Sequence, residues 1–105
     1  MAYTFQQAAS NSTTGATSLA VTFANAPASG ELIVATVATN SSTATITAPS
    51  GFSTKVSNAN TSRSIGIYWK IAGSSESTSY TWNFSASIAA AIVMRRFSSN
   101  YGWNT

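Results

Sequence analysis

Glu31 and Glu76 stand against Lys55, Arg63, Lys70, Arg95 and Arg96 in a chain of 105 residues that has no His, Asp or Cys. That inventory removes Ser-His-Asp and Cys-His nucleophile arrangements, paired-Asp chemistry and nearly every zinc site. A Glu pair or a Ser-Lys dyad is what remains. Two carboxylates hydrolyse a glycoside only when held about 5 to 10 Å apart, and no spacing in the chain sets that distance. Glu31 follows Gly30 at a strand entrance and Glu76 falls in a Ser-rich hairpin loop, so both read as solvated loop carboxylates. A lysine near one of 19 serines is unavoidable by chance. Calcium wants several carboxylate oxygens, more than two Glu supply. The expectation is a protein that is not an enzyme, with no catalytic residue, no metal and no cofactor.

The cations make a net charge of +3. Nucleic-acid surfaces cluster Lys and Arg against several phosphates, whereas here only Arg95 and Arg96 are adjacent. On a strand those two point to opposite faces, which argues against a nucleic-acid partner. The longest apolar run, IAAAIVM at 88–94, falls short of the roughly 18 to 20 residues that span a bilayer. The start, MAYTFQQAAS, lacks the basic and then apolar segments of a signal peptide. Four Asn-x-Ser/Thr sequons, at Asn11, Asn40, Asn60 and Asn83, are close to what composition alone produces.

The elements that must position these residues are strands. Ser and Thr number 34 and only 7% of residues are charged, yet 44% are hydrophobic, with three Trp and five Phe. That is enough apolar surface for one folded domain. β-branched residues, Ser and Gly interrupt every helical window, and the period is two. Leu19, Val21 and Phe23 share one face of a strand, and LIVATVAT at 32–39 is apolar on both faces, as a central strand is. Pro27 and Gly30 mark a turn before Leu32, turns at 40–43 and at Pro49/Gly51 bracket a short strand at 44–47, and 54–57 reads as a short edge strand. SIGIYWKIA sets Ile65, Ile67, Trp69 and Ile71 against Gly66, Tyr68, Lys70 and Ala72. SYTWNF sets Tyr80, Trp82 and Phe84 on one face, and 88–97 forms a last strand. Seven or eight strands at this spacing predict an all-β, antiparallel, jelly-roll-like β-sandwich, with one domain over 1–98 and a tail over 99–105.

By this alternation Trp69, Tyr80 and Trp82 are core anchors. Tyr68 and Lys70 then point away from the core as an aromatic and a cation able to stack on a sugar ring or another subunit. Arg95 and Arg96 are further interface candidates, as are Tyr101 and Trp103 in the tail. Seven charges leave few to blunt sheet edges, and a hydroxyl-rich surface so poor in charge suits a homo-oligomer covered by identical neighbours.

Several short motifs follow one another in a telling order: GELIVA at 30–35, PSGF at 49–52, YWKIAG at 68–73, Glu76, YTW at 80–82, then Phe97 and Ser98. Over residues 29–99 this order resembles a β-sandwich domain that recurs in phage virion and tail proteins and in bacterial surface proteins. Ser99 stands where the pattern usually has Gly, and members often continue into further domains. The resemblance implies a non-enzymatic structural virion protein, a capsid decoration or a tail or fibre component. Its partners are its own copies and other virion subunits, and it is assembled in the host cytoplasm. The alternative is a carbohydrate-binding or adhesion module on an extracellular surface, using Tyr68 and Lys70.

Overall fold

A computed structural model describes residues 3–59 and 63–99 of the chain, and every element in them is a strand. The strands are β1 (Tyr3–Thr22), β2 (Leu32–Thr39), β3 (Ile46–Thr47), β4 (Ser53–Ala59), β5 (Ser64–Ile71) and β6 (Ser79–Ser99). All pairings are antiparallel. They form one hydrogen-bonded sheet in the order β1-β6-β2-β5-β4, with β3 joined to β6.

The expected all-β class holds, but among the described residues the strands number six and not seven or eight. Residues 80–84 and 88–97, read as two strands, are one, because no Gly or Pro interrupts the intervening residues 85–87 and the ladder to β1 resumes beyond them. Residues 3–17 show no alternation that would mark an element. They are strand here because β6 offers them a partner along its whole length.

Twenty residues of straight strand would span about 66 Å at ~3.3 Å per residue, whereas the longest dimension of the molecule is 42 Å. β1 and β6 must therefore bend together. Register shifts between Phe5 and Gln7, Thr13 and Ala16, and Ala16 and Ser18 supply the bend, as extra residues on one strand of a ladder do. Tyr80, Trp82, Phe84, Ile88, Ala90, Ile92 and Met94 are all buried. Their even numbering on both sides of the bend means that one face of β6 stays concave throughout.

The bend divides the sheet into two arms. In one, the first part of β6 lies between residues 18–22 of β1 and the short β3. In the other, the second part lies between the start of β1 and β2, which continues to β5 and β4. The arms face each other across a single core. Tyr68 of β5 meets Trp82 of the opposite arm with ring centroids 5.1 Å apart. Phe52 contacts both Tyr80 and Trp82, and Phe23 contacts Tyr80. An aromatic side chain buries about 150–250 Å², worth roughly 4–6 kcal/mol each at ~25 cal/mol per Å². Trp82 leaves its indole Nε1 with no hydrogen-bond partner among the described residues, so part of that gain is offset by desolvation.

The Tyr80 and Trp82 assignments stand, and two others are corrected. Tyr68 is 6% exposed and faces the core, while Trp69 lies on the opposite, outer face and is only half-buried. Alternation was right and its sign was wrong. Gly66 fixes the sign: a Cβ there would stand 2.7 Å from the Tyr68 ring, so the phenol lies back over a bare backbone on the inner side.

Candidate functional site

Two regions gather the functional side chains. One closes an end of the core with charge; the other is the outer face of the larger arm.

At the closed end, backbone bonds first tie the segment before β2 to the one after β5. Gly30 N–H donates to Ala72 O at 2.9 Å and Ala72 N–H to Glu31 O at 2.8 Å. This places Glu31 beside the inner face of β6, where Arg96 Nη1 donates to its Oε1 at 2.7 Å and the Ala28 N–H to the same oxygen at 3.2 Å. Arg96 Nε also donates to Gln7 Oε1, and the guanidinium lies 5.9 Å from the Phe23 ring. Nearby, Glu76 is folded back from its loop. Its Oε1 accepts from Lys70 Nζ at 3.1 Å and from the Tyr80 hydroxyl at 2.8 Å, and its Oε2 from the Gly73 N–H at 2.7 Å. Lys70 Nζ lies 5.9 Å from the Phe52 ring and donates to Ser50 O. Lys70 runs so close past Gly51 that a Cβ there would stand 2.9 Å from Lys70 Cε.

Both glutamates are thus ion-paired and shielded, with side chains 8% and 7% exposed, and are not the solvated loop carboxylates expected. The turn residues point outward; the carboxylates turn inward because each finds a cation and a backbone N–H there. Burial pushes the Glu76 carboxyl up, and the Gly73 N–H, the Tyr80 hydroxyl and Lys70 together more than reverse this, leaving it below the usual carboxylate value. Burial, then Glu76 itself, raises Tyr80 well above an ordinary phenol. Burial also raises Tyr68. Lys70, expected on an outward face, belongs to this inner cluster because its neighbours on the same side of β5 are Tyr68 and Ala72.

The outer face is assembled by register. Row by row, Phe97, Leu32 and Ile71 stand side by side across β6, β2 and β5. Arg95, Val34 and Trp69 follow, then Val93, Thr36 and Ile67, then Ala91, Ala38 and Ile65. Phe5 of β1 extends the first row, packing edge-on against Phe97 at 5.8 Å. Phe5 is 54% and Ile65 46% exposed. In these twelve positions of β6, β2 and β5 the one charge is Arg95, which is exposed. Beyond the last row an open concavity of about 600 Å³ is lined by small and hydroxyl side chains such as Ser12, Thr39 and Ala91, with Asn40, Arg63 and Ile65.

Arg95 and Arg96 do point to opposite faces, one to the apolar sheet surface and one to Glu31. Tyr101 and Trp103 lie outside the described residues. The residues missed in the sequence are Phe5, Ile65, Ile67, Trp69 and Phe97. Two apolar faces on β5 were visible; Gly66 beside Tyr68 was the signal that could have told inner from outer.

Compared with family models, with curated proteins and with solved structures, the chain gives no significant match.

Proposed function

We propose that the chain is a non-enzymatic structural subunit that works by packing against its neighbours, as a capsid decoration or a tail or fibre component of a phage virion, assembled in the host cytoplasm. One observation carries the reading: the outer face of β6, β2 and β5 is an apolar surface with a single charge. Apolar patches of several hundred Å² on one face mark interaction sites. The order of motifs from GELIVA at 30–35 to Phe97 and Ser98 supports the virion part of the reading. The fold we attach to it is a β-sandwich of jelly-roll type, supported by the two arms that enclose one core.

The glycan-binding alternative has nothing to rest on at Tyr68 and Lys70, one ring being in the core and the other side chain ion-paired. The reading is tested by light scattering at rising concentration together with co-sedimentation on virions. We expect a mass above the 10.9 kDa of one chain, or retention on particles. A strict monomer with no affinity for virions would sink it.

A further inference from the structure

We infer that the partner on the outer face is a second copy of this chain, docked about a two-fold axis along β2 so that Arg95 of each copy stacks on the partner's Trp69. This rests on the reading of the chain as an assembling subunit and names its interface.

Area is the first argument. The five strands in the order β1-β6-β2-β5-β4, with β2 in the middle, about 4.8 Å apart and some eight residues long at ~3.3 Å per residue, present roughly 600 Å² of projected face. Two such faces bury about 1,200 Å², the size at which specific interfaces begin. Sheets also pack well face to face, about 10 Å apart.

Chemistry is the second. Arg95 has no hydrogen-bond or ion-pair partner among the described residues. If the face is covered, the guanidinium needs an acceptor. Glu31 and Glu76 are already bound to Arg96 and Lys70, so no side-chain carboxylate of a second copy is available. Among the outer positions of β6, β2 and β5, Trp69 supplies the ring face best suited to a guanidinium.

Symmetry is the third. Val34 pairs with Arg95 on one side and with Trp69 on the other. Rotation by half a turn about an axis running along β2, above Val34, exchanges the places of β6 and β5. Each Arg95 then lies over the partner's Trp69, and the two pairs form at once, as an isologous interface requires. The two guanidinium groups, each reaching across to the partner, stay about 10 Å apart laterally. Their repulsion, little screened in a covered face, is offset by the two Arg95–Trp69 stacks.

The test is sedimentation equilibrium of the full chain with thermal unfolding as a check on folding. Wild type is expected to dimerise, and Trp69→Ser and Arg95→Glu each to raise the dissociation constant at least about tenfold while still unfolding cooperatively. The double variant carrying Arg95→Trp and Trp69→Arg exchanges the members of both pairs and should recover most of the affinity. Because the chain has no cysteine, Val34→Cys near the axis should be joined to its counterpart by a short bis-maleimide, the ~10 Å between the faces being too long for a direct disulfide, and Ser87→Cys at the bend should not. A wild-type dimer indifferent to both single variants would overturn this interface and leave the assembly reading standing. A wild-type monomer at every concentration would overturn the interface, and if it also ignores virions, the assembly reading with it. A monomer that binds virions through Trp69 would replace the second copy with another subunit.

Discussion

The inner and outer faces of β5, β2 and β6 are made from similar residues and do different things. Inside, Tyr68, Ile33, Ala35, Val37, Ile92 and Met94 are buried against Trp82 and its neighbours. Outside, Ile65, Ile67, Trp69, Val34, Val93 and Phe97 lie in the same register, half-buried or exposed, with no second layer among the described residues. The charges are divided just as unevenly. Lys70 and Arg96, which fall on the inner side, are each locked to a glutamate, and Arg95 is left alone on the outer. Hydrophobicity alone does not make a core; a face becomes one when the chain brings a second layer to it.

The largest effects expected are those that break the inner side. Trp82→Ala and Tyr68→Ala should each cost about 3–5 kcal/mol, as truncation of buried aromatics does, read as a lower urea midpoint. Trp69→Ala, next to Tyr68 in the sequence but on the other face, should cost the isolated chain less than about 1 kcal/mol. Equal losses at Tyr68 and Trp69 would abolish the distinction between the faces.

Next comes the closed end. Glu76→Gln keeps the shape but removes the charge that Lys70, Tyr80 and the Gly73 N–H address, and should cost about 2 kcal/mol, seen in chemical denaturation at neutral pH. A change within error would mean that the ion pair does not hold the loop.

The pH dependence is smaller per group and has two windows. Glu76 has its folded carboxyl below the unfolded value of about 4.3, so its contribution is complete above that pH and is lost as the pH falls through the folded value. Tyr80 and Tyr68 are raised above the unfolded value of about 10. Their contribution is complete below pH 10 and is lost as the pH rises beyond it, because only the unfolded chain then gives up the protons. Thermal midpoints should be flat between about pH 5.5 and 9.5 and fall on both sides. Glu76→Gln should flatten the acid limb and leave most of the alkaline one.

The smallest effect sharpens the comparison from outside. Phe5→Ser and Ile65→Thr replace more than half or nearly half exposed side chains and should alter unfolding free energy by no more than about 0.5 kcal/mol, while reducing self-association in light scattering. A large loss of stability would place these residues in the core after all.

Much of this was legible in the residues. Pro27, Gly30, Pro49 and Gly51 marked turns, period two marked strands, and the edge position of residues 54–57 was plain from their shortness and polarity. Trp82 and Tyr80 could be assigned to the core because their strand has Thr81 and Asn83 on its other side. β5 defeated the same logic: with isoleucines on one face and Tyr68 and Ala72 on the other, alternation fixes two faces without saying which is covered. That depends on Trp82, which comes from a strand of the opposite arm. The burial of Glu31 and Glu76 was hidden for a related reason, since Glu31 finds Arg96 only once β2 lies beside β6, and Glu76 is held over Lys70 by Tyr80 of the opposite arm. The first half of β1 carries no pattern of its own and is ordered by a ladder to the far end of the chain.

That ladder has a consequence for how the molecule is made. Every strand partner of β1 lies in β6, and Gln6 bonds Ser98 from 92 positions away. A nascent chain leaving the ribosome cannot settle β1 until β6 has emerged, and neither arm can close before that. With no charge and no proline in β1 to keep it from pairing with a neighbour, the waiting segment is an invitation to other nascent chains. Topologies dominated by such distant pairings fold in about milliseconds to seconds, so yield on refolding should fall steeply as concentration rises.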